Sequence, residues 1–280
     1  MICQWEAFLN MLPPRIRKAV NTLGKEHMEE LRLRIGQAPK LVLHSGSRFL
    51  DTETSMEDLQ YILNSASQYS PWAAATLAEG YLTAPGGHRI GICGQAVCDQ
   101  RKVTLIREPM SLCIRVARDY PGIAAPLKTL NGSVLIIGPP GSGKTTLLRD
   151  LIRQVSQKGS VSVVDEKGEL FPIVRGKSIY GTGANLDILS GCPKSEGILM
   201  VLRNMGPDCI AVDEITSEDD CAAIMKAGWC GVSLLATAHA GNMDELCSRS
   251  TYRPIVNTKL FHHIVCLSKD KTWRLEGAGI

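Results

Sequence analysis

Short apolar runs alternate with amphipathic stretches through the second half of this 280-residue chain. The runs are rich in aliphatic and β-branched residues and predict buried strands at 133–138, 161–165, 209–213, 232–237 and 263–267. The stretches between them space their apolar positions as a helix does, which predicts helices at 144–157, 195–205 and 217–227. Strands that alternate with helices favour a parallel α/β sheet with right-handed crossovers.

The first half of the chain has a more mixed pattern. Residues 13–30 begin with Pro-Pro and carry an apolar stripe at helical spacing, and EELRLRIGQAPKLVLHSG then alternates apolar and charged positions as two strands around a turn do. A further helix is predicted after Ser55, and GYLTAPGGHRIGICGQAV predicts a hairpin with its tip at 85–87. His88 and Arg89 follow the tip, so we expect two cationic side chains on a protruding turn, either solvated or contacting a neighbour.

This change of pattern predicts a smaller α+β domain over residues 1–118, followed by an α/β domain over residues 119–280. The composition, 44% apolar and 21% charged, is typical of globular proteins, and a net charge of +3 is too small to indicate nucleic-acid binding. No apolar run has the length of a membrane span, so we expect a cytoplasmic protein unless a partner holds it at a membrane. The ten cysteines include no C-x-x-C pair, which argues against a structural metal site.

The segment GPPGSGKT at 138–145 matches the phosphate-loop pattern G-x-x-x-x-G-K-[ST] at every position and lies between a predicted strand and a predicted helix. Its backbone N–H groups and the helix N-terminus are expected to bind the phosphates of ATP. Lys144 is expected to bridge the β- and γ-phosphates, and the Thr145 hydroxyl to ligate Mg²⁺. The predicted ATP-binding residues are Gly138, Pro139, Pro140, Gly141, Ser142, Gly143, Lys144, Thr145 and Thr146.

Two later strands each end in Asp-Glu, in VSVVDEKGEL at 161–170 and DCIAVDEITSEDD at 208–220. By analogy with other phosphate-loop folds, the later strand is the magnesium strand, so Asp213 is expected to bind the ion through a water molecule. Glu214 is then the predicted base that polarises the attacking water.

The earlier of these strands carries a second acidic cluster, formed by Asp165, Glu166 and Glu169. We predict that this cluster either helps to place water or Mg²⁺, with Glu166 as a catalytic candidate, or forms a solvated turn. A further strand ends in LLATAHAGN, where Thr237 and His239 are predicted to sense the γ-phosphate.

The strings LRNMGPDCIAVDEITSEDD and LLATAHAGN together resemble the secretion-ATPase branch of RecA-like motors. The resemblance implies a RecA-like fold and places Asp165, Glu166 and Glu169 in an acidic box, Arg203 before the magnesium strand, and His239 in a histidine box. One departure is Asp213, because members of that branch typically carry Gly before the catalytic Glu.

Three further segments, LRLRIGQAPKLV, GYLTAPGGHRIGICGQAV and LDILSGCPKSEGILMVLRNM, are similar to a sporulation family within that branch, over residues 29–240. The resemblance implies an ATPase that uses Mg²⁺, assembles into a homo-oligomeric, hexameric ring, and powers a membrane secretion channel from the cytosolic side. It also implies an arginine that acts on the ATP of a neighbouring subunit. The candidates are Arg107 and Arg115, ahead of Arg203.

Two other classes of ATPase compete with this interpretation. LSGCPK at 189–194 resembles the signature of transporter ATPases, but Cys192 and Pro193 replace its second glycine and its glutamine, and Pro193 suits a helix start. A nucleic-acid-associated AAA-like ATPase is the stronger alternative. Because the chain shows neither an aromatic stacking run nor a strong basic patch, we expect no nucleic-acid partner.

Overall fold

The computed structural model describes residues 1–67, 80–100, 102–174 and 176–276. The chain divides into two units, Met1–Asp119 and Tyr120–Ile280. Each unit has its own sheet and its own cluster of buried apolar side chains.

A six-stranded antiparallel sheet forms the frame of the first unit, in the order β3-β2-β1-β6-β5-β4. The strands are β1 (Met28–Arg34), β2 (Lys40–Leu43), β3 (Gly46–Phe49), β4 (Tyr81–Thr83), β5 (Arg89–Asp99) and β6 (Lys102–Arg115). The helices of its described part are α1 (Trp5–Asn10), α2 (Pro14–Asn21) and α3 (Met56–Ser67). Alternate strand residues such as Leu31 and Ile114 pack with helix residues such as Phe8 and Ile62, so one face of the sheet is the core.

The ends of these helices follow from local chemistry. At the start of α3, the Ser55 hydroxyl accepts from the Asp58 amide while the Asp58 carboxylate accepts from the Ser55 amide, as in a capping box. The single helical stripe predicted over 13–30 is wrong beyond Asn21. Gly24 has a φ of 75° after the helix end, and Met28 is buried as the first residue of β1.

The predicted hairpin is present as β4 and β5, and its tip glycines, Gly86 and Gly87, have φ values of 82° and 78°. The expectation of a cationic His88 on this tip is wrong. His88 is fully buried against Phe8, where its Nδ1 accepts from the Ala117 amide and its Nε2 donates to the Gln4 carbonyl. Burial lowers the pKa of His88 to about 4, so the ring is neutral and structural.

The second unit contains a seven-stranded sheet in the order β11-β8-β12-β13-β7-β14-β15, in which only the β14–β15 pair is antiparallel. Its strands are β7 (Val134–Ile137), β8 (Val161–Asp165), β11 (Leu186–Ser190), β12 (Cys209–Val212), β13 (Ser233–Ala238), β14 (His263–Leu267) and β15 (Trp273–Glu276). A short separate hairpin consists of β9 (Ile173–Val174) and β10 (Lys177–Ser178). The predicted parallel α/β sheet is therefore confirmed, with β11 and β15 as edge strands that the sequence pattern did not indicate.

The helices of the described second unit are α4 (Lys144–Val155), α5 (Lys194–Asn204), α6 (Glu218–Trp229), α7 (Met243–Ser248) and α8 (Arg253–Asn257). The apolar faces of α5 and α6 pack on Val164, Ile210 and Val212 of the sheet. Gly197 of α5 allows a close approach to the sheet, because an added Cβ would lie 2.5 Å from the Val164 side chain. This arrangement brings the start of α5 to the carboxyl end of β8.

Candidate functional site

The phosphate loop at 138–145 connects β7 to the first turn of α4. Gly141 and Gly143 have φ values of 76° and 99°, a backbone region that glycine adopts without steric cost, and Gly143 is the N-cap of α4. Ser142 is buried, and its hydroxyl has no hydrogen-bond partner among the residues that the structure describes. A buried polar group beside a helix N-terminus fits a phosphate ligand, which would supply the missing hydrogen bond.

Lys144 is held by the loop from which it projects. Its Nζ donates to the carbonyls of Gly138, at 2.8 Å, and Pro139, at 3.1 Å, and lies 3.0 Å from Nδ1 of His239. The other ring nitrogen of His239, Nε2, is 3.0 Å from Oε1 of Glu214. Burial lowers the pKa of Lys144, while the carboxylates of Glu214 and Asp213 act in the opposite direction. His239 thus bridges the lysine of the phosphate loop and the glutamate that follows β12.

Asp213 follows the last residue of β12 and faces the start of α4. Its Oδ2 accepts from the Thr145 hydroxyl at 3.1 Å, and its Oδ1 accepts from the Thr237 hydroxyl at 2.9 Å. Thr237 also accepts from the Glu214 amide, at 3.0 Å. A threonine hydroxyl and a carboxylate are hard oxygen ligands, so Thr145 and Asp213 fit a Mg²⁺ ion that completes its shell with water and phosphate oxygens.

The order of strands explains why these residues meet. β13 lies between β12 and β7, and all three strands are parallel, so their carboxyl ends line one edge of the sheet. The phosphate loop, Asp213 and His239 all follow that edge. β8 lies one strand further away, beyond β12.

Asp165, at the end of β8, is occupied by its own turn. Its Oδ1 accepts from the amide of Glu169, and its Oδ2 accepts from the amides of Leu170 and Phe171, at 2.8 to 3.1 Å. Arg149 of α4 donates to the carbonyls of Glu169 and Leu170 and closes the same turn. Burial raises the pKa of Asp165 to about 6, against the opposing effect of the Phe171 and Leu170 amides and of Arg149. A solvated turn, one of the two interpretations, therefore does not describe Asp165.

Glu166 forms an ion pair that sequence reasoning did not identify. Its Oε2 lies 2.5 Å from Nζ of Lys194, which is 7% exposed, and the same ammonium is 3.9 Å from Oδ2 of Asp220. Lys194 is the first residue of α5, directly after the N-cap Pro193. A lysine at the first position of a helix is unfavourable, because it lies beside the positive end of the helix dipole. This unfavourable placement is the signal that the sequence offers.

The arginine candidates lie on exposed parts of the two units. Arg115, the last residue of β6, has a side chain that is 66% exposed, with its Nε 3.3 Å from Oε1 of Glu30. Arg107 is exposed in the β5–β6 hairpin, opposite Gln95. Arg203 is exposed in the last turn of α5, in the second unit.

Over residues 1–67, 80–100, 102–174 and 176–276, no group of three or more His, Cys, Asp or Glu side chains is arranged to hold a metal ion. The helices within the same ranges include none with the length and apolar character needed to cross a bilayer.

Comparison with known proteins indicates a family for the chain. The family model described as "Sporulation stage III, protein AA" matches residues 4–277. A curated relative, "Stage III sporulation protein AA" of Bacillus subtilis (strain 168), is 34% identical over 279 residues, covering 93% of this chain and 90% of the relative.

Solved structures show a related fold. The Legionella pneumophila ATPase DotB aligns with a TM-score of 0.57 at 17% identity, covering 93% of this chain and 78% of that one. The pilus retraction motor PilT with bound ADP aligns with a TM-score of 0.59 at 16% identity, covering 90% and 76%. At these identities the likeness concerns the fold alone. It confirms the expected RecA-like parallel-sheet unit preceded by a smaller α+β unit.

Proposed function

Because the chain belongs to the family Sporulation stage III, protein AA, we propose that it is an ATP-hydrolysing motor subunit that powers a membrane-associated sporulation channel from the cytosolic side. The observation that carries this proposal is the meeting of Lys144, Thr145, Asp213, Glu214 and His239 at one edge of the parallel sheet. These are the residue types that phosphoryl transfer from ATP to water requires.

In this proposal each residue has a defined task. When bound, ATP supplies the phosphoryl group, and Mg²⁺ neutralises the charge that develops on it. Lys144 exchanges the carbonyls of Gly138 and Pro139 for phosphate oxygens, and the amides of the phosphate loop donate to the same group. Thr145 and Asp213 would hold the ion.

Glu214 is the proposed base, and Glu166 is not. Glu214 shares His239 with Lys144, which places its carboxylate beside the phosphate loop. Glu166 is held in an ion pair by the ammonium of Lys194, and it follows β8, which lies one strand further from the phosphate loop than β12. His239 is proposed to change partners when a phosphate draws Lys144 away.

Substitution of the two principal residues tests the proposal. We expect Lys144→Ala to abolish ATP binding, because phosphate needs the ammonium in the ground state. Glu214→Gln should retain binding and lower kcat by about 10²-fold or more, because the carboxylate acts on water only during the reaction. Steady-state hydrolysis and equilibrium binding of a fluorescent ATP analogue measure both.

The matched comparison for Glu214→Gln is Glu166→Gln, the same change at the other Asp-Glu strand. We expect Glu214→Gln to be the more damaging. Near-normal turnover of Glu214→Gln, with Glu166→Gln inactive, would show that the two strands have been assigned the wrong way round. Absence of ATP hydrolysis by the wild-type chain would contradict the enzymatic proposal itself.

Assembly and location belong to the same proposal. We propose a homo-oligomeric ring, hexameric in form, that docks peripherally on membrane proteins of the sporulation channel while remaining in the cytoplasm. Two fold relatives, an ATPase and a pilus retraction motor with bound ADP, support the motor role on which this assembly depends. Copurification of the chain from membranes, with and without ATP, would identify the docking protein.

A further inference from the structure

Lys194 lies between carboxylates from two separate elements. On one side is Glu166, which directly follows β8, and on the other is Asp220, in the first turn of α6. Both Lys194 and Asp220 are buried, at 7% and 5% exposure, whereas the Glu166 side chain is 35% exposed. The three groups form a bridge from the end of β8, across the start of α5, to the start of α6.

Placing a lysine here is costly unless both carboxylates are present. An ammonium loses its hydration on burial, and at the first residue of a helix it faces the positive end of the dipole. The position of Lys194 is set by packing one turn later in α5. There the backbone at Gly197 lies so close to Val164 of β8 that an added Cβ would have no room. Lys194 is therefore held at the end of β8 by packing and neutralised by Glu166 and Asp220.

Asp220 carries the bridge to the residues that follow β12. Its Oδ2, the atom nearest Lys194, accepts from the amides of Thr216 and Ser217 and from the Thr216 hydroxyl, at 3.0 to 3.2 Å. Thr216 is two residues after Glu214. The bridge therefore ends on the backbone turn that carries the proposed base.

We propose that Lys194 is a positioning residue that couples the turn after β8 to the turn after β12, and that Glu166 acts through this lysine and not on the attacking water. The inference rests on the proposed ATPase function, which it deepens. A movement of Glu166 would be transmitted through Lys194 and Asp220 to the backbone at Thr216, and so to the orientation of Glu214.

Kinetics of Lys194 variants test the proposal. Lys194→Met keeps the length of the side chain and removes its charge, and we expect kcat to fall about tenfold to a hundredfold, as for a displaced catalytic group. The affinity for a fluorescent ATP analogue should stay within about twofold of wild type, because Lys194 does not contact the phosphate loop. Lys194→Arg, which restores the charge, should recover part of the lost kcat. Lys226→Met, an exposed lysine of α6, is the matched control and should leave kcat unchanged.

A double-mutant cycle asks whether Glu166 and Lys194 act as a unit. If they do, Glu166→Gln combined with Lys194→Met should lower kcat no further than the more damaging single change. Full additivity of the two losses would overturn the coupling. So would a kcat of Lys194→Met equal to that of wild type, or loss of nucleotide binding in that variant.

Hydrogen exchange separates failure of this inference from failure of the proposed function. In Lys194→Met, the amides of Thr216, Ser217, Leu170 and Phe171 should exchange faster than in wild type, whether or not the chain hydrolyses ATP. Lys226→Met should show no such change. Unchanged exchange at both turns in Lys194→Met would contradict the coupling even in an active enzyme. Faster exchange in a chain without ATPase activity would retain the coupling and reject the motor.

Discussion

At the scale of single residues, the contacts of Lys144 describe a phosphate loop closed on itself. The ammonium donates to two carbonyls of its own loop and approaches His239, and these are contacts that phosphate oxygens would replace. Because Lys144 donates to Nδ1 of His239, the remaining ring proton lies on Nε2 and is directed at Glu214. The His239 side chain therefore links Lys144 to the proposed base, Glu214.

His239→Ala tests this link. We expect nucleotide binding to persist, because Lys144 keeps its place in the phosphate loop, while kcat falls about tenfold to a hundredfold as Glu214 loses its orienting partner. His27→Ala, an exposed histidine of the first unit, is the control and should behave as wild type. Turnover of His239→Ala equal to that of the control would show that Glu214 needs no histidine.

At the scale of elements, buried polar groups join segments that are distant in the chain. Asp165 fixes the turn after β8, and His88 joins the hairpin of β4 and β5 to Gln4 and to Ala117. Both groups are cut off from water, so their protonation is tied to the folding of the surrounding element. For His88 the consequence can be measured.

The folded chain should become less stable in acid because His88 is buried in its neutral form. The folded ring titrates at about 4 and the unfolded ring at 6.5, so the unfolded chain binds more protons between these values. The contribution of neutral His88 is fully present above pH 6.5 and is lost as pH falls through 4, a difference of about 3 kcal/mol. Denaturant unfolding followed by circular dichroism at several pH values measures it.

His88→Gln is the control for that experiment. Glutamine offers one donor and one acceptor but does not titrate, so the loss of stability between pH 6.5 and 4 should be smaller in this variant by about 3 kcal/mol. The same pH dependence in both proteins would show that other groups are responsible.

At the scale of the whole molecule, the proposed ring requires a residue that acts on the ATP of a neighbour. Arg115 suits this role because its side chain is two-thirds exposed, although Glu30 holds its Nε at 3.3 Å. Across the sheet, Arg115 also lies directly opposite Arg89, and like charges at such positions weaken strand pairing. A second negative group, such as a phosphate of a neighbouring subunit, would offset that repulsion.

A mixing experiment tests the assignment to a neighbour. Arg115→Ala alone should lower kcat by about 10³-fold or more, as loss of a trans-acting arginine does in other phosphoryl-transfer systems. Mixed with Lys144→Ala subunits, which keep their arginines, Arg115→Ala subunits should regain part of the activity. The control is Arg48→Ala, an exposed arginine of β3, which should be active alone. If no ratio restores activity in assembled rings, Arg115 does not act across an interface, and Arg107 is the next candidate.

The sequence by itself determined five strands and three helices of the second unit, β7, β8, β12, β13, β14, α4, α5 and α6, and the residue types at their ends. Apolar runs of strand length, the phosphate-loop pattern and the Asp-Glu pairs are local features, and local features depend on backbone sterics and burial that a short segment already specifies. The same reasoning failed at His88, because the residues next to a histidine in the sequence do not show whether its side chain is buried.

Only the tertiary structure decided which Asp-Glu strand lies beside the phosphate loop. β8 comes next after β7 in the chain, yet β13 and then β12 lie between them in the sheet, so the carboxyl end of β12 is the closer one. The partners of Lys194, Glu166 and Asp220, could not be identified from the sequence, since the members of the bridge are up to 54 positions apart (220 − 166). Strand order and long-range ion pairs arise from packing among whole elements, and no local pattern of residues records them.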